Sequence, residues 1–314
     1  MKTKATVKTR SGLSFAQKMV RDWQLWVLLL IPMAFLILFR YWPMFGILIG
    51  FQDYKVGDPF WGMDTDWVGM KWFIRFFENP YCWRYIKNTL AISILGIVII
   101  FPAGIFLALL FNEIRNAKFK SFASSISILP HFISVVVIVG MLRNIFSVDG
   151  GLINTVLNKL GHESIDFMGT SAWFRPLYIG SGMWSGAGYA AIVYTAAIAG
   201  IDPTLYEAAK VDGANRWKQL LKITLPCIVP TISTMLILRV GSVMSVGYEK
   251  VLLMQTGSTY DVSDIISTYT YRVGILEGKQ SYATAIGLFN SICNLILVVL
   301  ANKVSAKLSD SSLW

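Results

Sequence analysis

Cysteine is scarce: Cys82, Cys227 and Cys293 are the only three in 314 residues. They lie far apart and form no C-x-x-C, which excludes a disulfide framework and a thiolate zinc site. Only two histidines occur, His131 and His162. No H-E-x-x-H, paired-carboxylate or Ser–His–Asp constellation stands out, so nothing suggests a catalytic or metal centre. The nearest approach to a phosphate loop is GILEGKQ at 274–280. It is one residue short and lacks the following Ser or Thr, so no nucleotide site is expected on this chain. Charge is thin as well, 15% of residues against about 25% in typical soluble domains. No A-x-A cleavage site ends the first apolar run, which therefore reads as a retained span rather than a signal peptide.

Apolar residues fill the gap. They make up 55% of the chain, mean hydropathy is +0.56, and runs reach the roughly 20 residues that a bilayer-crossing helix needs. The pattern predicts an all-α membrane protein with about six spans. These are 23–39 with an interfacial continuation at 41–51, then 89–111, 122–142, 172–200, 223–238 continuing to about 253, and 283–301. The fourth is the least hydrophobic and rich in Gly, Ser and Tyr, so it is expected to face protein or water rather than lipid. Lys and Arg number 15 in the 68 residues of 1–23, 112–121, 201–222 and 302–314, against 13 in the 126 residues of the opposite segments. By the positive-inside rule both termini are expected in the cytoplasm. The division is a cytoplasmic segment 1–23, a membrane domain 24–305 and a tail 306–314. The net charge of +10 is then a topology signal, and nucleic-acid binding is not expected. Segment 52–87 gathers Trp61, Trp67, Trp72, Phe73, Phe76, Phe77, Tyr81, Trp83 and Tyr85. It reads either as an aromatic belt at the outer interface or as a docking or sugar-stacking surface.

The loop at 201–222 carries the most information. Asp202 can cap a helix and Pro203 suits its first turn. That helix runs through Tyr206, Glu207, Ala208, Ala209 and Lys210 and stops by Asp212 and Gly213, since glycine tolerates the left-handed conformation. Asn215 can cap the next helix, where Trp217, Leu220, Leu221, Thr224 and Leu225 fall on one mostly apolar face. Spacing alone leaves two readings open: a docking element for another protein, or an amphipathic connector on the membrane surface.

The same residues resemble the EAA motif of binding-protein-dependent ABC import permeases: E-A-A, three residues, Gly, nine residues, I-x-L-P. Here Glu207-Ala208-Ala209, Gly213 and Ile223-Thr224-Leu225-Pro226 stand in register. Asn88-Thr89-Leu90, LALLFNEI at 107–114, LPHFIS at 129–134, GYEKVLL at 247–253 and DIISTYTYR at 264–272 resemble the oligosaccharide, LplB-type branch, related to maltose-importer permeases. The likeness runs from about residue 24 to 305. It implies a type I ABC importer fold in a bacterial plasma membrane, with Glu207, Ala208, Ala209, Lys210, Asp212 and Gly213 coupling to an ATPase. It also implies a second homologous permease, two ATPase subunits carrying ATP and Mg, and an extracytoplasmic solute-binding protein. The chain itself would bind no cofactor and catalyse nothing.

A saccharide path needs hydroxyl partners and aromatic faces on spans not facing lipid. Trp184, Tyr189 and Tyr194 on the fourth span, and Arg239, Tyr248 and Glu249 on or after the fifth, are the candidates. Their glycine neighbours could equally serve close helix packing. Arg239 lies about 24 Å along the fifth helix from Ile223, so it either snorkels to the outer boundary or touches cargo. His131 reads as a packing residue. A permease for another solute such as an amino acid or phosphonate, an ion-coupled secondary transporter and a membrane enzyme are the competing classes. The last two lack, respectively, clear intramembrane carboxylates or inverted repeats and a catalytic constellation.

Overall fold

The computed structural model describes residues 19–55, 57 and 66–309, and their regular structure is helical apart from one isolated antiparallel bridge between Gln52 and Trp67. Trp61 and most of the two expected tails lie outside the described residues. Among the described residues four helices are long and apolar enough to cross a membrane, and two bent pairs raise the number to six when each is taken as one span. The first, α1 (Trp23–Phe51), is one continuous 29-residue rod, where a shorter span with an interfacial continuation was expected. Its ladder widens to a π turn at Ile37–Tyr41, then tightens to a 3-10 segment that takes Pro43 in its first turn. The winding changes where the chain loses a donor, so the rod continues instead of breaking.

A short helix, α2 (Lys71–Glu78), lies ahead of α3 (Cys82–Glu113). Trp72, Phe73 and Phe76 on α2 and Tyr85 on α3 are buried against Ile266, Tyr269, Tyr282 and Ile286. Four of the clustered aromatics are therefore core residues, not an interfacial belt, whereas Trp67, Tyr81 and Trp83 are exposed.

The third span is not the single helix expected at 122–142. It splits into α4 (Ala117–Phe132) and α5 (Val135–Ile145), bent by 96°. Pro130 sits in a 3-10 turn, and the Ser134 side chain accepts from the Val137 amide at 3.4 Å, which starts a fresh helix. After α6 (Leu152–Lys159) comes the fourth span, α7 (Ser171–Ala199). It buries nine residues, Phe174 to Ile198, whereas α1 buries Gly50 alone. Close approach explains part of this. A Cβ at Gly188 would overlap the Ser127 carbonyl of α4, and one at Gly104 of α3 would lie 2.7 Å from Ala190 Cβ. Small residues let these backbones meet where lipid offers no hydrophobic drive.

The helix α8 (Pro203–Val211) leaves α7 at 69°. The fifth span, α9 (Arg216–Val240), ends at Val240 rather than continuing to about 253. A Cβ at Gly241 would collide with Val298, and the following turn spends its backbone groups on neighbours. The Met244 amide donates to Asn294 Oδ1 at 2.9 Å, and Ser93 Oγ donates to the Val243 carbonyl. Helix resumes as α10 (Tyr248–Met254), followed by α11 (Ile266–Tyr271) and the last span α12 (Gln280–Ser309). Three buried clusters run along α3: one around Cys82 and Tyr85, one around Ile92, one around Ala108 and Phe111.

Candidate functional site

The loop between the fourth and fifth spans is capped from within at every turn. Asp202 accepts from the Thr204 amide at 2.9 Å. The backbone and then the side chain of Thr204, both donating to it, hold its carboxyl below the ordinary range. Gly213 takes φ +71°. Its amide reaches the Lys210 carbonyl at 3.1 Å and the Ala214 amide reaches that of Ala209 at 2.8 Å, the paired bonds of a Schellman close. Asn215 then caps α9 by accepting from the Lys218 amide at 2.9 Å. Nothing lies within 4 Å of a Cβ built at Gly213, so backbone conformation alone selects glycine there.

Few bonds tie this loop to the rest of the protein. Tyr206 shares its hydroxyl with Thr224 Oγ1 at 2.9 Å, and Arg216 pairs with Glu113 at 3.6 Å. Glu207, Ala208, Lys210, Asp212 and Gly213 are exposed, with Ala209 half-buried. Val211 is 89% and Trp217 72% exposed, although both are large and apolar. The single apolar face expected for 217–225 does not form. A π turn at Leu220–Thr224 rotates it, so Thr224 is buried while Trp217 and Leu221 face outward. The loop thus presents a short rigid helix with uncovered apolar side chains and a charged rim, as a groove-docking element requires.

The residues expected along a solute path fall in five different places. Arg239 lines a cleft of about 70 Å³ between α3, α7 and α9 with Ser93, Tyr178, Ser242 and Ser245. Tyr248 packs 5.9 Å from Tyr271 at a cavity of about 450 Å³ shared with Ile49 of α1, Gln280 and Thr284. Glu249 beside it is exposed. Trp184 borders a cavity of about 310 Å³ between α5 and α7. Tyr189 lies flat on His131, ring centres 4.0 Å apart and planes within 8°. Tyr194, by contrast, is 3% exposed and packs edge-on to Phe101 in the core. Sequence reasoning passed over Lys250, whose ammonium donates to the Tyr178 carbonyl at 2.9 Å and lies 4.6 Å from that ring. Its signal was a cation set directly before the apolar run VLLM.

The end of α3 remote from Glu113 is built differently. Asn88 donates to the carbonyls of Asp261 and Asp264, both at 3.0 Å, and accepts from Arg175 at 3.0 Å. Asp264, 1% exposed, receives Arg272 at 2.6 Å and Thr268 at 2.8 Å.

Comparison with known proteins places this geometry. Residues 100–310 match the family described as the binding-protein-dependent transport system inner membrane component. The polygalacturonan/rhamnogalacturonan transport system permease protein YteP of Bacillus subtilis (strain 168) is 43% identical over 298 residues, covering 95% of this chain and 92% of that protein. Protein LplB of the same organism is 39% identical over 303 residues, 96% and 95% of the two chains. A chain of a bacterial alginate ABC transporter, solved in complex with alginate pentasaccharide-bound periplasmic protein, superposes with a TM-score of 0.86 at 38% identity, over 95% of this chain and 99% of that one. With four to six apolar helical spans among the described residues and a family match over two thirds of its length, the chain is a multi-pass inner-membrane permease component of the binding-protein-dependent transport family.

Proposed function

We propose that this chain forms one half of the path through which an ATP-driven importer carries oligosaccharides into the cell. The permeases it resembles supply the cargo class: one is named for polygalacturonan and rhamnogalacturonan, and the importer in the solved neighbour is described as handling the acidic polysaccharide alginate. The observation that carries the coupling assignment is α8 itself, a self-capped helix bent 69° from the fourth span with its apolar and charged side chains uncovered.

In this reading α8 seats in a cleft of a cytoplasmic ATPase, with Glu207, Ala208, Ala209, Lys210 and Asp212 at the contact and Gly213 fixing the exit of the chain. The loop side and both termini are cytoplasmic, in keeping with the Lys and Arg distribution. A second homologous permease completes the path, two ATPase subunits hold ATP and Mg, and a solute-binding protein delivers cargo from outside. Closure of the ATPases then passes through α8 as a rigid-body shift. This chain carries no hydrolytic step of its own. The test is ATP-dependent uptake by the reconstituted complex across a panel of oligosaccharides. Stimulated uptake with wild type and none with Glu207→Lys is the expected result, and vanadate-insensitive, proton-driven uptake would overturn it.

A further inference from the structure

The cleft behind Arg239 has an unbalanced charge. Its walls are Ile92, Ser93, Gly96 and Ile100 of α3, Tyr178 of α7, and Arg239 with the 241–247 turn. No carboxylate lines it. The Arg239 guanidinium reaches inward, since a Cβ built on Gly96 would lie 3.4 Å from its Nη2. The guanidinium is thus turned against α3 at a residue that is itself exposed. Lys250 closes on the same wall from the far side of Tyr178. A Cβ at Gly182 would sit 3.1 Å from Ile100 of the cleft and 3.5 Å from the Lys250 ammonium.

Neither cation has an acidic partner. Among the described residues the ion pairs are Arg21–Asp22, Lys71–Asp53, Arg216–Glu113, Arg272–Asp264 and Lys279–Glu277. Lys250 has a carbonyl oxygen and an aromatic face, which are dipolar acceptors and carry no compensating charge. Uncompensated positive charge among apolar helices is costly and marks a function. Of the two, Arg239 alone lines the cleft, with Lys250 next to it across Tyr178, and an anion entering there would compensate both charges. The space suits a carboxylate group, with a ring left at the mouth beside Ser242 and Ser245.

The geometry points to Arg239 and Lys250 as the residues by which this permease selects a carboxylated sugar unit over a neutral one. The inference rests on the saccharide-import reading above and sharpens it to a charge class and two side chains. An anionic lipid headgroup carries the same chemistry, and the experiment separates the two sources.

The complex of both permeases, ATPases and binding protein is reconstituted in vesicles of neutral lipid and in vesicles containing anionic lipid. Uptake of a short oligogalacturonate is compared with that of its methyl ester at equal occupancy of the binding protein. Wild type favours the acid. Arg239→Gln and Lys250→Gln each lower the acid-to-ester uptake ratio roughly tenfold, the scale expected when one partner of a partly desolvated charge pair is removed. Arg239→Lys keeps a measurable share of the preference. An unchanged ratio in both glutamine variants, or a loss that follows lipid charge instead of sugar charge, overturns the proposal. Import of the neutral sugar alone sinks charge selection and leaves saccharide import standing. No ATP-dependent uptake of any saccharide sinks both.

Discussion

The two ends of α3 are held in opposite ways. At the Glu113 end the neighbouring loop is stabilised by bonds within itself: the Asp202 and Asn215 caps and the Gly213 turn. Among the described residues, its side chains reach other elements through one hydroxyl pair and one 3.6 Å ion pair. At the Cys82 end, bonds cross between elements far apart in sequence. Asn88 of α3 ties to Arg175 of α7 and to the backbone at 261 and 264, while Tyr85 stacks on Tyr269 at 4.4 Å. The first arrangement keeps a helix rigid while leaving its surface free for another protein. The second locks three segments into a block that moves together.

Substitutions can break that contrast. Asp264→Ala has the largest expected effect. It leaves the half-buried Arg272 without its counter-charge beside a buried vacancy, and removing one partner of a buried pair costs about 3 kcal/mol or more. Folded protein in the membrane should fall sharply in a detergent thermal-stability assay, and a wild-type melting profile would erase the distinction between the ends. Gly188→Val follows, since its side chain meets the Ser127 carbonyl. A loss of about 1–3 kcal/mol, the range for overpacking, is expected in the same assay. Asn215→Ala removes one cap and should cost about 1 kcal/mol, read as faster amide exchange at Lys218. Glu207→Lys should leave the melting temperature where it is, because the residue is exposed, yet abolish uptake. Normal transport by that variant would sink the coupling assignment.

The smallest effect is one of pH. The Asp202 carboxyl is held below its ordinary range by Thr204. Its cap is therefore complete above the unfolded carboxylate range and is lost as pH falls through the lowered folded value. Protection of the Thr204 amide should persist through mild acidity and fade only in stronger acid.

Much of this architecture was legible in the residues because its causes are local. Apolar runs set the spans, and Asp202, Gly213 and Asn215 set the ends of the loop helices as chemistry near each position requires. What the sequence concealed depends on distant partners. The fifth span stops at Val240 because Asn294 and Ser93 take up the backbone of the following turn. The belt expected from Trp72, Phe73 and Phe76 became core because α12 supplies Tyr282 and Ile286. The break in the third span was signalled by Pro130 and Ser134, but its 96° angle was not; around the bend Ser127 meets Gly188 and His131 stacks on Tyr189, both of α7. Of the path candidates, Arg239 was visible as a rare charge in an apolar run. Lys250 was masked by Glu249, an apparent neighbouring counter-charge that the fold leaves exposed.

The length of α9 has a mechanical consequence. It begins at Arg216, next to the 201–215 loop, and carries Arg239 one residue before its end. Those residues stand about 35 Å apart along the axis. With the loop as the driven end, a tilt of about 10° would sweep the far end through roughly 6 Å over that length. That stroke is larger than a hydrogen bond is long. One lever of that length therefore turns a small rotation at the loop into a displacement at Arg239 large enough to break and remake its polar contacts.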